Sequence, residues 1–333
     1  GLKLFREKEG KTVLKPMLSI VIPVYNTRKY FEECLNSILS NESDKFELII
    51  VDDGSTDGVS EICDKYENNP QIQILHQKNM GVSKARNAGI DLSRGEYITF
   101  VDSDDYVASN YIDTILKALQ TPKDIYFFGG INLENGQLCR NREWIYKYEE
   151  LVNREIIFHS VLSGQSNEPW DKVFRRDIVF QYKIRFDEKI SLGEDIVFTL
   201  EYLKYAKSAQ LIKNDIYYYR ILNSGLSRKL PQINILEDRN LLFLQIFNFI
   251  DCMNLDKNLI DDSYKFMLQI IVNCCGRLFR NNYSNIEIEH KLKEFSWNSK
   301  LGDYKYTDIK SCIRKILWKY KKYKLMGLLF NGE

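Results

Sequence analysis

Residues 97–105 read Tyr-Ile-Thr-Phe-Val-Asp-Ser-Asp-Asp, so that β-branched and aromatic residues are followed at once by three carboxylates. The first five residues are typical of a buried strand. The carboxylates therefore stand at the carboxyl end of that strand, which is where open α/β sheets bind their ligands.

The same pattern of a short apolar run followed by polar residues recurs between residues 18 and 130. The predicted strands are Leu18–Val24, Glu47–Val51, Ile72–Leu75, Tyr97–Val101 and Ile125–Phe128. The predicted helices between them are Arg28–Leu39, Val59–Glu67, Val82–Leu92 and Tyr106–Leu119. Each helix repeats its apolar residues three or four positions apart. This alternation predicts an α/β fold with a Rossmann-like, doubly wound and mostly parallel sheet.

Beyond Gly130 the pattern is less regular. Further predicted elements are a helix over Trp144–Leu162, a helix over Asp195–Tyr205, and strands over Ala209–Ile212 and Ile216–Tyr219. From Pro231 onward almost every segment has a helical period. We therefore expect one domain over residues 17–230, with halves 17–120 and 121–230, and a helical C-terminal region over 231–333. Residues 1–16 are interpreted as a leader, an expression remnant or a short native extension.

The composition excludes several classes of protein. With 47 Lys and Arg against 46 Asp and Glu in 333 residues, the net charge is +1, so no overall field attracts nucleic acid. Seven cysteines without metal-finger spacing argue against a disulfide framework and indicate a reducing compartment. No apolar run is long enough to span a bilayer, and residues 2–16 are too charged for a signal peptide. We therefore expect a cytoplasmic protein that binds no nucleic acid.

The acidic cluster of Asp102, Asp104 and Asp105 is costly unless something compensates it, because neighbouring carboxylates repel and raise one another's pKa. Oxygen ligands suit Mg²⁺ or Mn²⁺, and Mg²⁺ is commonly held by one or two carboxylates together with substrate phosphates. The cluster therefore predicts a divalent cation that bridges a pyrophosphate. The alternative is a helix N-cap, in which Asp102 or Asp104 accepts from free amides ahead of Tyr106.

Two neighbouring strands also end in polar residues. Val51-Asp52-Asp53-Gly54-Ser55-Thr56-Asp57 follows the second strand, and a carboxylate there could accept from a base or a ribose. The alternative is a turn at Gly54 with a cap for the next helix. Ile22-Pro23-Val24-Tyr25-Asn26 ends the first strand with an aromatic face and an amide that suit a base. Three strands thus present polar side chains on one rim.

These three motifs, together with Gly81-Val82-Ser83-Lys84-Ala85-Arg86-Asn87-Ala88-Gly89, resemble the nucleotide-binding half of family 2 glycosyltransferases, which have the GT-A fold. Four motifs in this order and at this spacing are specific. The resemblance is strong over about residues 17–120, moderate to about residue 230 and weak beyond. It implies an inverting transfer from a nucleotide-sugar donor, with Mn²⁺ or Mg²⁺ as the cofactor.

The resemblance also implies roles for single residues. The residues implied to bind the nucleotide are Pro23, Tyr25, Asn26, Asp53, Arg86, Asp102 and Ser103. Asp102 and Asp104 would form the metal-binding DxD motif, with Asp104 in contact with the metal.

An inverting displacement needs a general base opposite the leaving diphosphate, which takes the proton of the acceptor hydroxyl. The segment Ser191-Leu192-Gly193-Glu194-Asp195-Ile196-Val197-Phe198 places an acidic pair at a predicted helix start, where the helix dipole favours an ionised carboxylate. This pair resembles the Glu-Asp motif that supplies the base in the family. We assign the base to Asp195, with Glu194 as its substitute, and the alternative is a helix cap.

The segment Trp170-Asp171-Lys172-Val173-Phe174-Arg175 resembles a recurrent segment of bacterial family members near the acceptor. Trp170 would stack on a sugar ring, and Asp171 or Lys172 would bind its hydroxyls. The alternative is a buried indole with a surface ion pair.

A lid over the diphosphate is expected from a Ser/Gly-rich loop that also carries basic residues. The residues assigned to this lid are Tyr219, Ser224, Ser227 and Arg228. The alternative is a solvated connection.

Ile313–Leu325 mixes lysines with aromatic and aliphatic residues. Such a basic amphipathic helix can lie on an anionic membrane surface, which would place the protein peripherally on the inner face of the plasma membrane. The alternative is that the helix packs on the protein or on a second subunit, which would give a homodimer.

The sequence thus predicts an inverting glycosyltransferase that moves a sugar from a nucleotide diphosphate donor, expected to be a UDP-sugar, by metal-assisted in-line displacement. The expected acceptor is a hydroxyl of a glycan, lipid-linked or on a protein, in bacterial polysaccharide or glycoconjugate synthesis. The alternative is a non-catalytic nucleotide-sugar-binding or scaffold protein of the same fold. A nucleotidyltransferase is disfavoured because no Gly-rich, basic phosphate loop follows the first strand.

Overall fold

The computed structural model describes residues 15–140, 143–147, 151–152, 154–222 and 231–329. The strands of this part of the chain are β1 Leu18–Val24, β2 Phe46–Asp52, β3 Ile72–His76, β4 Tyr97–Phe100, β5 Tyr106–Val107, β6 Ile125–Glu134, β7 Gln137–Arg140, β8 Leu151–Val152, β9 Lys172–Arg175 and β10 Ala209–Arg220. The helices are α1 Arg28–Leu39, α2 Ser60–Asp64, α3 Val82–Leu92, α4 Tyr111–Ala118, α5 Arg154–Leu162, α6 Arg176–Gln181, α7 Glu194–Leu203, α8 Ile235–Met253, α9 Lys257–Arg280, α10 Asn285–Lys293, α11 Trp297–Asp303, α12 Ile309–Lys319 and α13 Tyr323–Leu329. Two short 3₁₀ turns cover Glu143–Tyr146 and Pro169–Asp171.

All the strands belong to one sheet, in the order β3-β2-β1-β4-β9-β6-β10-β5. β3, β2, β1 and β4 are parallel to one another, and β6 is parallel to β10. β9 runs antiparallel to β4 and β6, and β5 runs antiparallel to β10. β7 pairs with β6, and β8 pairs with β10. The strand order reverses at β1, so the crevice between the carboxyl ends of β1 and β4 is the topological switch point.

Alternate residues of the central strands form two separate apolar cores. Ile20 and Ile22 face the layer that contains α1, α2 and α4. Val21 faces the opposite layer, which contains α3, α5 and α7. Because β1 and β2 are buried over their whole length, their sequences are almost continuously apolar, as expected for parallel strands covered on both faces.

The C-terminal helices extend the second of these layers. Phe243 of α8 and Ile271 of α9 belong to the same apolar cluster as Phe100 of β4 and Phe198 of α7. None of the helices in the described residues is long and apolar enough to cross a membrane.

Three sequence predictions of secondary structure are wrong in part. Tyr106 does not begin a helix, because Tyr106 and Val107 pair with β10, and α4 begins only at Tyr111. The helix predicted over Trp144–Leu162 is divided into a 3₁₀ turn, the strand β8 and α5. The two strands predicted between residues 209 and 219 are one strand, β10, whose pairing with β6 continues across register shifts between Ile212 and Tyr217. In each case, pairing with a distant strand overrides the local pattern.

Candidate active site

The carboxyl ends of β1, β2 and β4 meet at one rim of the sheet, as the sequence predicts. Thr27, after β1, donates from Oγ1 to Oγ of Ser103, after β4, at 2.9 Å. Ser103 is itself buried, so its hydroxyl ties the two strand ends together. The rim is therefore a fixed edge at the switch point.

The end of β1 offers one exposed aromatic ring. Tyr25 is 49% exposed, which leaves its face available to a base. Asn26 has a φ of 53°, and its side-chain oxygen accepts from the backbone N–H of Thr56 at 2.8 Å. Pro23 is buried within β1. Of these predicted nucleotide-binding residues, Tyr25 and Asn26 are thus exposed and Pro23 is not.

Asp53 holds the loop that precedes α3. Its carboxylate accepts from Nε2 of Gln77 at 2.7 Å, from the N–H of Met80 at 2.9 Å and from the N–H of Gly81 at 2.8 Å. Asp53 is 3% exposed, so most of its hydrogen-bonding capacity is already used inside the protein. The adjacent Gly54 has a φ of +73°, and a Cβ there would lie 2.7 Å from the backbone nitrogen of Asn79. The turn predicted at Gly54 is therefore confirmed.

The three carboxylates after β4 have different surroundings. Asp105 is buried and accepts from the Tyr217 hydroxyl at 2.7 Å and from the N–H of Arg220 at 2.6 Å. Burial and the charges of Asp102 and Asp104 hold the pKa of Asp105 well above its ordinary range. Asp104 receives no hydrogen bond to its carboxylate from another described residue, and burial together with Asp102 raises its pKa to about 6.

Asp102 and Asp104 fit the expected divalent cation better than they fit a helix cap. No helix begins directly after them, since Tyr106 lies in β5, so the alternative of a helix N-cap is wrong. The described residues contain no group of three or more His, Cys, Asp and Glu that could hold a metal ion alone. A pair of carboxylates completed by substrate phosphates is the arrangement that Mg²⁺ commonly uses. The observation that supports this fit is that the Asp104 carboxylate accepts no hydrogen bond from another described residue.

Arg86 of α3 connects the acidic rim to the start of α7. Its Nη2 donates to Asp102 at 3.0 Å, and its Nη1 donates to Asp195 at 2.6 Å and to Glu194 at 3.2 Å. The guanidinium lies 5.2 Å from the centroid of the Phe186 ring, and the side chain is 5% exposed. Arg86 therefore lies beside the nucleotide rim, as the sequence predicts, and it also joins the two acidic motifs.

Glu194 and Asp195 begin α7, as the sequence predicts, after Gly193 with a φ of +105°. The helix N-terminus does not by itself set the pKa of Asp195. Burial, together with the charges of Glu194 and Asp102, raises the pKa of Asp195 well above its ordinary value, although Arg86 opposes the rise. When it is ionised, a carboxyl with a raised pKa is a stronger base.

The side chains of Trp170, Asp171 and Lys172 are not on the surface. They are 1%, 1% and 0% exposed, and Nζ of Lys172 lies 2.5 Å from Oδ1 of Asp171. The Trp170 indole is stacked on the rings of Tyr217 and Tyr219, at centroid distances of 4.1 Å and 5.6 Å. This burial argues against the predicted direct contact with an acceptor, because no surface is left for a sugar. The indole instead supports the strand that carries Tyr217.

Only one of the four residues assigned to the predicted lid lies within the described residues. Tyr219 is a partly buried residue of β10, where its ring packs on Trp170, so it does not belong to a loop. Ser224, Ser227 and Arg228 lie outside the described residues.

Sequence reasoning did not place Tyr217 or Arg220 at the rim, which they complete from the distant strand β10. The Tyr217 hydroxyl accepts from the N–H of Asp102 at 3.0 Å. Nε of Arg220 donates to the backbone oxygen of Asp104 at 2.9 Å, and its Nη2 donates to Glu33 at 2.8 Å. These contacts join residues more than a hundred positions apart, and the only local signal was the need of the buried Asp105 for a donor.

Comparison with known proteins finds one family that the chain resembles. The model of the family described as "Glycosyl transferase family 2" matches residues 19–178. The chain is 31% identical over 230 residues to the uncharacterized glycosyltransferase YibD of Escherichia coli (strain K12), covering 63% of each chain. It is 28% identical over 295 residues to the poly(ribitol-phosphate) beta-N-acetylglucosaminyltransferase TarS of Staphylococcus aureus (strain Mu50), covering 86% of this chain and 48% of that protein. The chain thus spans about half to two thirds of the length of these relatives.

Two solved structures share the fold. A crystal structure of S. aureus TarS 1–349 in complex with UDP-GlcNAc superposes with a TM-score of 0.64 at 21% identity, covering 94% of this chain and 90% of that chain. The mannosyltransferase PcManGT of Pyrobaculum calidifontis, in complex with GDP-Man and Mn²⁺, gives a TM-score of 0.53 at 14% identity, covering 96% and 89%. At these identities the likeness supports the fold alone.

Proposed function

We propose that the chain, which resembles glycosyl transferase family 2 and has the GT-A fold, transfers a sugar, with inversion, from a UDP-sugar to a hydroxyl of a glycan acceptor. One observation carries the proposal. The buried guanidinium of Arg86 contacts both Asp102 on the donor rim and Asp195 at the start of α7. One guanidinium thus holds a donor-binding carboxylate and a candidate base close together, which supports a single displacement between donor and acceptor.

The donor end of the site rests on the rim at β1, β2 and β4. Tyr25 offers its exposed ring to the base, and the loop fixed by Asp53 borders the nucleoside. Asp104 and Asp102 would hold Mn²⁺ or Mg²⁺, which when bound neutralises the charge that develops on the leaving diphosphate. The choice of UDP is supported by TarS, whose structure is described with UDP-GlcNAc, and the choice of Mn²⁺ by PcManGT.

Asp195 acts as the general base. The acceptor oxygen attacks the anomeric carbon, the bond from that carbon to the diphosphate oxygen breaks, and Asp195 takes the acceptor's proton. The raised pKa of Asp195 makes it a better proton acceptor, and Arg86 fixes the orientation of its carboxylate at 2.6 Å. Glu194 shares the same guanidinium and is placed to support Asp195.

The acceptor is proposed to be a polyhydroxylated polymer of bacterial surface polysaccharide or glycoconjugate synthesis. The name of TarS, a poly(ribitol-phosphate) glycosyltransferase, supports a polyol or sugar hydroxyl as the nucleophile. The buried Trp170 gives no surface for this acceptor. We place the acceptor hydroxyl beside Asp195, which takes its proton.

The alternative is a protein that binds a nucleotide sugar without turning it over. A screen of UDP, GDP, ADP and CDP, with and without Mn²⁺, followed by release of UDP from UDP-sugars, separates the two. Saturating UDP with Mn²⁺ should stabilise the fold by about 2.7 kcal/mol at a hundred times its Kd, which is a rise in Tm of several degrees. A metal-dependent shift without any UDP release supports the non-catalytic protein. The absence of a shift with every nucleotide contradicts the proposed donor site.

A further inference from the structure

α12 is anchored to the protein by one face. Asp308 caps the helix by accepting from the N–H of Ser311 at 2.7 Å, and Leu317 and Trp318 are buried. α12 and α13 both pack on α9, where Tyr323 and Met326 of α13 are also buried. This anchoring fixes which face of α12 points away from the protein.

The outward face of α12 is a stripe of large apolar side chains. Ile309, Ile313, Ile316 and Tyr320 are 80%, 42%, 55% and 62% exposed. Their spacing of four, three and four residues places them on one side of the helix, within an arc of roughly 60° at about 100° per residue. An apolar residue exposed singly needs no explanation, but four in one row mark an interaction surface.

The segment that carries this stripe is basic. From Ile309 to Leu329 the sequence contains six lysines and one arginine and no aspartate or glutamate. Lys319, Lys322 and Lys324 are exposed, and none of them forms a salt bridge within the described part of the chain. A row of apolar side chains bordered by lysines complements a surface with an apolar interior and an anionic boundary.

We propose that the stripe of Ile309, Ile313, Ile316 and Tyr320 binds the surface of an anionic lipid bilayer, with α12 lying parallel to the membrane plane. The apolar side chains enter the boundary between headgroups and acyl chains, while the lysines contact the lipid phosphates. A second copy of the chain fits this face poorly, because a symmetric contact sets the same basic patch against itself. The surface is separate from the residues of the proposed transfer reaction, so the test of membrane binding is independent of the test of that reaction.

Flotation of the full 333-residue chain with lipid vesicles tests this surface. The protein should float with vesicles of phosphatidylcholine mixed with phosphatidylglycerol, and the floating fraction should fall as salt is raised. It should not float with vesicles of pure phosphatidylcholine. Replacing Ile313 and Ile316 together by Gln should lower the fraction bound at least about tenfold. Replacing Lys319, Lys322 and Lys324 together by Gln should lower it about a hundredfold at low salt, from about fivefold for each lysine.

The matched control is Ile286→Gln, since Ile286 is 79% exposed on α10, outside the stripe. This variant should bind vesicles as the unchanged chain does, and all variants should keep the Tm of the unchanged chain. The proposal is overturned if the unchanged chain does not float, or if the Ile313 and Ile316 variant floats as well as the Ile286 control. It is also overturned if sedimentation without lipid shows a dimer that the stripe variants dissociate, because the stripe would then bind a second copy.

Discussion

Arg86 is a single cation among three carboxylates, those of Asp102, Glu194 and Asp195. Burial alone would lower the pKa of its guanidinium, but the surrounding carboxylates raise it, so the group stays charged. Its Nε is buried without a hydrogen-bond partner in the described part of the chain. Removing one partner from a buried ion cluster leaves uncompensated charge and is strongly destabilising. The planar guanidinium donates to several carboxylates at once, and this fork-like geometry, as well as its charge, orders the site.

Arg86→Lys keeps the positive charge and removes the fork, since one ammonium group cannot reach Asp102 and Asp195 in the same geometry. We expect kcat for sugar transfer to fall at least about tenfold, because a misplaced base loses its alignment with the acceptor. Steady-state kinetics with a UDP-sugar measure this. Arg94→Lys is the matched control, because Arg94 binds Glu47 through a side chain that is 51% exposed. Equal kcat values for the two variants would show that the Arg86 guanidinium does not position the base.

Asp195→Asn should abolish transfer and leave nucleotide binding nearly intact. An amide cannot take the proton of the acceptor hydroxyl, and loss of general-base catalysis typically costs about 10²–10⁴ in rate. Turnover and calorimetric titration with UDP measure the two effects separately. Glu201→Gln, on the same helix and away from Arg86, should keep full activity. Retained turnover in Asp195→Asn would assign the base to another residue.

Three elements of the nucleotide half meet at His76, where β3 ends. Its Nδ1 lies 2.8 Å from Asp52 at the end of β2, and its Nε2 lies 3.0 Å from Asp64 at the end of α2. Burial lowers the pKa of His76, but the hydrogen bonds and charges of Asp52 and Asp64 outweigh it and raise the pKa above 6.5. The protonated imidazole thus binds β2, β3 and α2 together.

This pairing predicts a stability that depends on pH. Because the folded state holds the His76 proton more tightly than the unfolded chain, the stabilisation is complete below the unfolded pKa of 6.5 and is lost as pH rises through the higher folded pKa. The Tm should therefore fall more between about pH 6 and about pH 8 in the unchanged chain than in His76→Gln. His290→Gln is the control, since that side chain is 85% exposed. Parallel Tm curves for all three proteins would contradict the prediction.

The elements near the N-terminal end of the domain could be predicted from the sequence because their patterns are local. β1 and α1 match the predicted Leu18–Val24 and Arg28–Leu39, and α3 matches Val82–Leu92. β5, β8 and β10 could not be predicted in this way, since each is defined by pairing with a distant strand.

The site shows the same division between local and distant contacts. Strand ends with polar residues predicted the rim, because parallel strands bring their carboxyl ends together. Local sequence could not show that Arg86 would reach Asp195, more than a hundred residues away, or that Trp170 would be buried against β10. The raised pKa of Asp195 depends on burial, which helix position alone does not predict.

The whole molecule has an apolar core that crosses the boundary proposed at residue 231. Leu242 and Phe243 of α8 share a cluster with Val197 and Phe198 of α7. α8 also touches the segment before the candidate base, since Nη1 of Arg239 donates to the backbone oxygen of Leu192 at 3.3 Å. The C-terminal helices thus support both the sheet and the position of Asp195.

A chain that ends after residue 230 should therefore not fold on its own. Its α7 would expose the apolar face that α8 covers, and exposed apolar area of this kind leads to aggregation. We expect no cooperative thermal transition, strong binding of a hydrophobic dye and no UDP binding. A soluble fragment with a sharp transition and unchanged UDP affinity would show instead that residues 231–333 form a separate unit.

The central claim at the scale of the molecule is that the acidic rim of the sheet binds a divalent cation together with the donor diphosphate. Calorimetric titration of UDP into the unchanged chain and into Asp104→Asn, with and without Mn²⁺, tests it directly, with Asp113→Asn of α4 as the control. We predict that Mn²⁺ strengthens UDP binding in the unchanged chain and in the control. In Asp104→Asn, the affinity for UDP in the presence of Mn²⁺ should be at least about tenfold lower than in the unchanged chain. Metal-linked UDP affinity that is equal in all three proteins would contradict the account.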